Sequence, residues 1–135
     1  MNNFITKKVD DFDGKITYRS PILNDVSITK VIKNGTSSYY LSLRTEGSTL
    51  NYDGKGVIVL FQDGTKWSKP TEKIDVKSVE GSGWGYRSFI TLNQEDLSLF
   101  STKVIKKFRL YIYDNESPDD VEKFPFFVQS VIESK

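Results

Sequence analysis

The stretch GSGWGYRSF holds the side chains best suited to chemistry on a ligand: Trp84, Tyr86 and Arg87. Aromatic faces stack on sugar rings or bases, and a nearby guanidinium adds hydrogen bonds. Gly83 and Gly85 leave the Trp84 ring little shielded by its neighbours, and strand spacing puts Tyr86 on the same face with Arg87 on the other. Turned inward, the two rings would instead be core, where large aromatics dominate. Glycoside hydrolysis by paired carboxylates needs neither His nor Cys, and Glu46, Glu72, Asp75, Glu80 and Asp96 offer carboxylates for it, although no motif pairs any two.

Three other stretches invite a chemical reading. DDFDG (Asp10, Asp11, Asp13) and DNESPDD (Asp114 to Asp120) are oxygen-rich, but they lack the regular spacing and closing Glu of a calcium loop, so they read as solvated turns. NYDGKG could cradle an anion in backbone amides, yet it leads into an apolar strand and not into a helix with Gly-Lys-Ser/Thr, which argues against a phosphate loop. KVIKKFRLYIY interleaves Lys103, Lys106, Lys107 and Arg109 with Tyr111 and Tyr113, a single-stranded nucleic-acid pattern in which Arg109 and the tyrosines share a face. The acidic loop beside it, and a net charge of +1 from 19 basic and 18 acidic residues, argue against nucleic acid.

Absent residue types narrow the function further. With 0 His and 0 Cys the chain has no thiolate nucleophile, no disulfide and no imidazole base or ligand. No catalytic residue, metal or cofactor is therefore assigned. No apolar run approaches the ~20 residues that cross a bilayer, and the N-terminal residues lack a signal-peptide core, so a cytoplasmic protein without membrane contact is expected.

The elements that must position these residues read as β-structure. At 135 residues the chain suits one domain over 1–135, and 9 Phe, 7 Tyr and 2 Trp supply its core. Asp13-Gly14, Asn34-Gly35, Asp53-Gly54 and Asp63-Gly64 read as hairpin turns. A two-residue loop at Asn34-Gly35 pairs Lys33 with Thr36, Ile28 with Leu41 and Val26 with Leu43; the same arithmetic at Asp63-Gly64 pairs Leu60 with Trp67. GVIVLFQ reads as a central strand covered on both faces. A third hairpin joins EKIDVKSV to GWGYRSFITL through Gly81, Ser82 and Gly83. NQEDLSLF reads as the one short helix, near 93–101, capped by Asn93. KKFRLYIYD and EKFPFFVQSVI read as strands, the latter at an edge because of Pro125. The expected fold is all-β: a single antiparallel sandwich of about nine or ten short strands, with a partly open barrel as the alternative.

Tyr39 to Trp67, with YRSFITL and FRLYIYD, resembles small uncharacterised proteins of gut Bacteroidetes and their mobile elements. The resemblance implies an accessory or interaction role in such a bacterium or its phages. A non-enzymatic interaction or assembly module is the function expected, contacting a protein partner or a second copy through edge strands near Phe4 to Val9 and Phe124 to Val128. The alternatives are a carbohydrate-binding module stacking a sugar on Trp84 and Tyr86, and a His-free carboxylate hydrolase.

Overall fold

The computed structural model describes residues 5–21, 25–51, 53–78, 83–116 and 121–134. They form ten strands and two helices in the order β1 (Thr6–Val9), β2 (Ile16–Arg19), β3 (Val26–Lys33), β4 (Thr36–Gly47), β5 (Lys55–Phe61), β6 (Lys66–Lys73), β7 (Asp75–Ser78), β8 (Trp84–Leu92), α1 (Gln94–Thr102), β9 (Ile105–Leu110), β10 (Tyr113–Asn115) and, after a 3-10 turn at Val121–Lys123, α2 (Phe124–Glu133). A six-stranded sheet β1-β2-β3-β4-β8-β7 faces a four-stranded sheet β10-β9-β5-β6, all neighbours antiparallel. The fold is the expected β-sandwich, and neither sheet closes into a barrel.

The Asn34-Gly35 hairpin has the register that its sequence predicts, with Val26 opposite Leu43 and Ile28 opposite Leu41. Both turn residues take positive φ, 53° and 79°, as a two-residue type I′ loop requires. At Asp63-Gly64 the expected pairing slips by one: Trp67 lies opposite Val59, and Leu60 opposite Lys66. The loop there holds three residues, Gln62 to Gly64, with the Phe61 amide donating to the Thr65 carbonyl at 2.9 Å. A one-residue slip exchanges the faces of a strand, so Trp67 turns inward and Leu60 outward. Asp53-Gly54 is no hairpin turn at all. It lies on the crossover from β4 in the large sheet to β5 in the small one, where the Asp53 amide donates to the Asn51 side chain at 2.9 Å. The tip of the β7–β8 hairpin, 79–82, lies outside the described residues.

Two further expectations are corrected. KKFRLYIYD is not one strand: it reverses at Tyr111-Ile112, Tyr111 adopting φ 59°, and Tyr113 returns opposite Leu110. EKFPFFVQSVI is a helix and not an edge strand. Pro125 is tolerated in the first helical turn, where its missing amide would have no partner anyway, and Phe124, Phe127, Val128 and Val131 recur at helical spacing and are buried. The expected docking edge at Phe124 to Val128 therefore does not exist.

Side chains from both sheets and both helices form one core, from Val26, Ile28, Leu41 and Leu43 through Val57, Val59 and Phe61 to Phe100, Phe124 and Val128. Four strands cannot cover the inner face of six. Helix α2 supplies the missing cover, packing against β3 and α1. The buried ammonium of Lys30 on β3 donates to the carbonyls of Ile132 at 3.0 Å and Ser134 at 2.7 Å, placing a cation at the negative end of α2. Helix α1 begins with a reciprocal capping box: Asn93 accepts from the Asp96 amide at 2.8 Å, and Asp96 accepts from the Asn93 amide at 3.0 Å. Asp96 also accepts the Trp67 indole N–H at 2.8 Å, tying the helix to the small sheet.

Candidate functional site

Trp84, Tyr86 and Arg87 are not brought together as a stacking platform. Tyr86 is fully buried on the inner face of β8, Trp84 is half-buried against the core, and Arg87 is exposed on the outer face. The Tyr86 ring lies 4.8 Å from that of Tyr113 and 6.5 Å from that of Tyr111, between centroids. Its hydroxyl donates to the Thr49 carbonyl and accepts from the Asn51 amide at 3.1 Å, while the Asn51 side chain donates to Tyr111 at 2.7 Å. These tyrosines staple the β4–β5 crossover between the sheets. Burial pushes the Tyr86 hydroxyl above its ordinary pKa, whereas hydrogen bonding from the Thr49 side chain lowers that of Tyr113. The aromatics of KVIKKFRLYIY thus face inward, while Arg109 faces outward into a two-pronged ion pair with Asp114.

The expected carboxylates are scattered. Asp96 is held by the α1 cap and Trp67, Glu72 and Asp75 are separately exposed or half-exposed on β6 and β7, and Glu80 lies outside the described residues. Glu46 alone reaches a shallow depression of about 350 Å³, shared with Asp25, Asp114 and Glu116. There the Arg109 guanidinium holds the Asp114 carboxyl below its ordinary pKa, as an anion. Among the described residues no group of His, Cys, Asp or Glu is arranged to hold a metal ion, and no helix is long and apolar enough to cross a membrane.

The outer face of the large sheet carries a different constellation. Strand alternation puts Tyr40, Ser42 and Arg44 of β4 directly opposite Thr91, Phe89 and Arg87 of β8. The rings of Tyr40 and Phe89 stack at 4.9 Å with 17° between their planes, and Phe89 keeps 55% of its surface in solvent. Arg44 and Arg87 are both exposed and stand side by side, with Asp75 opposite Arg87 on its other flank. Like charges in directly opposed positions are unfavourable for pairing; Asp75 offers Arg87 an opposite charge, but pairing gives no reason for Arg44. The same face continues across β2 and β1, where Thr6, Lys8, Lys15, Thr17 and Arg19 line a concavity of about 470 Å³ together with Asp10. The Asp10 carboxylate is occupied by its own turn, accepting the Phe12 amide at 2.8 Å and the Asp13 amide at 3.3 Å, and the first of these bonds holds it below its ordinary pKa. Tyr40 and Arg44 were legible once the Asn34-Gly35 register was set, because Leu41 and Leu43 inside force Tyr40, Ser42 and Arg44 outside; Phe89 joins them only through the pairing of β4 with β8, which no local turn marks.

Compared with protein-family models, with curated proteins and with solved structures, the chain matches none.

Proposed function

We infer that the protein is a non-enzymatic interaction module that docks a protein partner on the outer face of its large sheet. The observation that carries the reading is the exposed Tyr40–Phe89 stack flanked by the opposed Arg44 and Arg87. Aromatic and Arg side chains are enriched where binding energy concentrates, and charge complementarity makes the matching partner surface acidic, with an apolar side chain to cover Phe89. The cations Lys8, Lys15 and Arg19 on the same face extend the complementary field.

Sheet edges support this reading less well. Edge strand β1 carries Lys7 and Lys8, β6 carries Pro70, and β7 and β10 are only 4 and 3 residues long. Lysine, proline and shortness are the devices by which edges avoid pairing with another chain.

Selection from a random displayed peptide library tests the reading. Peptides combining Asp or Glu with an apolar anchor are expected, and their amide shift changes in the labelled protein are expected to cluster at Ser42, Arg44, Arg87, Phe89 and Thr91. Phe89→Ala and Arg87→Glu are each expected to weaken such a peptide by about tenfold or more while leaving the fold unaltered. Binders without acidic character, or shifts centred on another surface, would overturn it.

A further inference from the structure

We propose that the protein self-associates head to tail, the tip of the β1–β2 hairpin of one copy seating Phe12 in a groove on the outer face of the small sheet of the next. The proposal is independent of the docking face above and uses neither of its aromatics.

Phe12 is completely exposed at the hairpin tip, with Asp11 and Asp13 on either side. The tip is built and not loose. Besides the bonds to Asp10 Oδ1, the Lys15 amide donates to Asp13 Oδ1 at 2.9 Å, the Gly14 amide to the Asp10 carbonyl at 2.9 Å, and the Asp10 amide to the Lys15 carbonyl at 2.8 Å. An aromatic side chain presented on a fixed turn loses little further freedom when it docks.

The receiving groove lies where the sequence led us to expect cover. Strand β5 is apolar from Val57 to Phe61, as strands buried on both faces are, yet only Val57, Val59 and Phe61 point into the core. Ile58 and Leu60 point outward, half-buried, and floor a groove of about 260 Å³ walled by Lys66, Lys107, Arg109 and Asp114. That volume is below the ~300–1,000 Å³ of small-molecule sites, and suits a single side chain. Leu60 lies between Lys66 on β6 and Lys107 on β9. Lys107 has only a 3.9 Å contact with Glu116, and Lys66 has no ion pair among the described residues. An aromatic ring between two aspartates and an apolar floor between two lysines are complementary in polarity and in charge.

The two features cannot satisfy each other within one molecule. The tip belongs to the edge hairpin of the large sheet, whereas the groove opens on the face of the small sheet turned away from it. The contact is therefore heterologous, and repeated addition gives a ring or an open chain.

Sedimentation velocity of the full chain over a wide concentration range tests this. The average mass is expected to rise with protein concentration and to fall as salt is raised from about 0.05 to 0.5 M, because screening weakens the Asp–Lys contacts. Phe12→Ser removes the tip and Lys66→Glu with Leu60→Asn removes the groove; each variant is expected to be monomeric, with at least about a tenfold loss of self-affinity. Mixed together, they are expected to form a capped heterodimer, since each retains the half that the other lacks. Thermal melts of both variants verify that they fold. A wild-type protein that stays monomeric throughout, an oligomer indifferent to Phe12→Ser, or two folded variants that fail to pair would overturn the proposal.

Discussion

Gly47 lies opposite Trp84 where the large sheet meets the tyrosine staple, and its missing side chain makes room for two rings. A Cβ there would lie 2.5 Å from Tyr86 and 2.6 Å from Tyr113. Overpacking a fixed site costs about 1–3 kcal/mol, so Gly47→Ala is expected to lower the urea midpoint by that equivalent. An unchanged midpoint would mean that the rings move aside freely. Asp63 makes a different kind of residue-scale prediction. Its carboxylate accepts from the Thr65 hydroxyl and amide and pairs with Lys103 at 3.2 Å, and these partners, the Thr65 hydroxyl first, lower its pKa from 3.8 to about 2. A carboxyl depressed in the folded state stabilises fully above its unfolded value and loses that contribution as pH falls through the folded one. The contribution is thus intact above about pH 4 and disappears towards pH 2. Asp63→Asn is expected to flatten that part of the acid limb in equilibrium unfolding while leaving the neutral-pH curve shape unaltered, and an identical acid slope would exclude the role.

At the scale of elements, legibility followed how local each determinant is. The β3–β4 hairpin could be read to the residue, because Asn34-Gly35 demands one turn type and the flanking apolar pairs agree with it. The Asn93 cap of α1 was equally local. The Tyr111-Ile112 reversal was hidden because a tyrosine, and no Gly, Asn or Asp, occupies the left-handed position. Helix α2 was legible in principle: Phe124, Phe127, Val128 and Val131 repeat at helical period, but aromatic and β-branched content and a proline resemble an edge strand. What keeps α2 in place is not local at all, since Lys30 joins it from 102 residues away. Lys30→Ala is expected to destabilise the fold by about 1–3 kcal/mol through the unpaired carbonyls, and to speed amide exchange at Val131 to Ser134 ahead of β3 and β4. Exchange that accelerates uniformly would show instead that helix and sheet open together.

Over the whole molecule, a large and a small sheet leave two outward faces of different character. One is cationic and aromatic around Phe89; the other is a narrow apolar groove between lysines. On the first face only Tyr40 and Arg44 follow from the Asn34-Gly35 register, since Phe89 and Arg87 reach them through the long-range pairing of β4 with β8; the groove was hidden because an apolar run such as that of β5 looks the same whether one or both of its faces are covered. Peptide capture at the first face and mass at the second are therefore expected to respond to separate substitutions: Phe89→Ala leaves sedimentation unchanged, and Phe12→Ser leaves acidic-peptide affinity unchanged. Loss of both properties from either substitution would merge the two surfaces into one. The Lys30 clasp also bears on the order of folding. Until Phe124–Ser134 docks, the inner side of β3 has no lid and its ammonium no carbonyl to hold, so pairing of neighbouring strands cannot by itself finish the sandwich, and its closure waits on a contact spanning 102 residues.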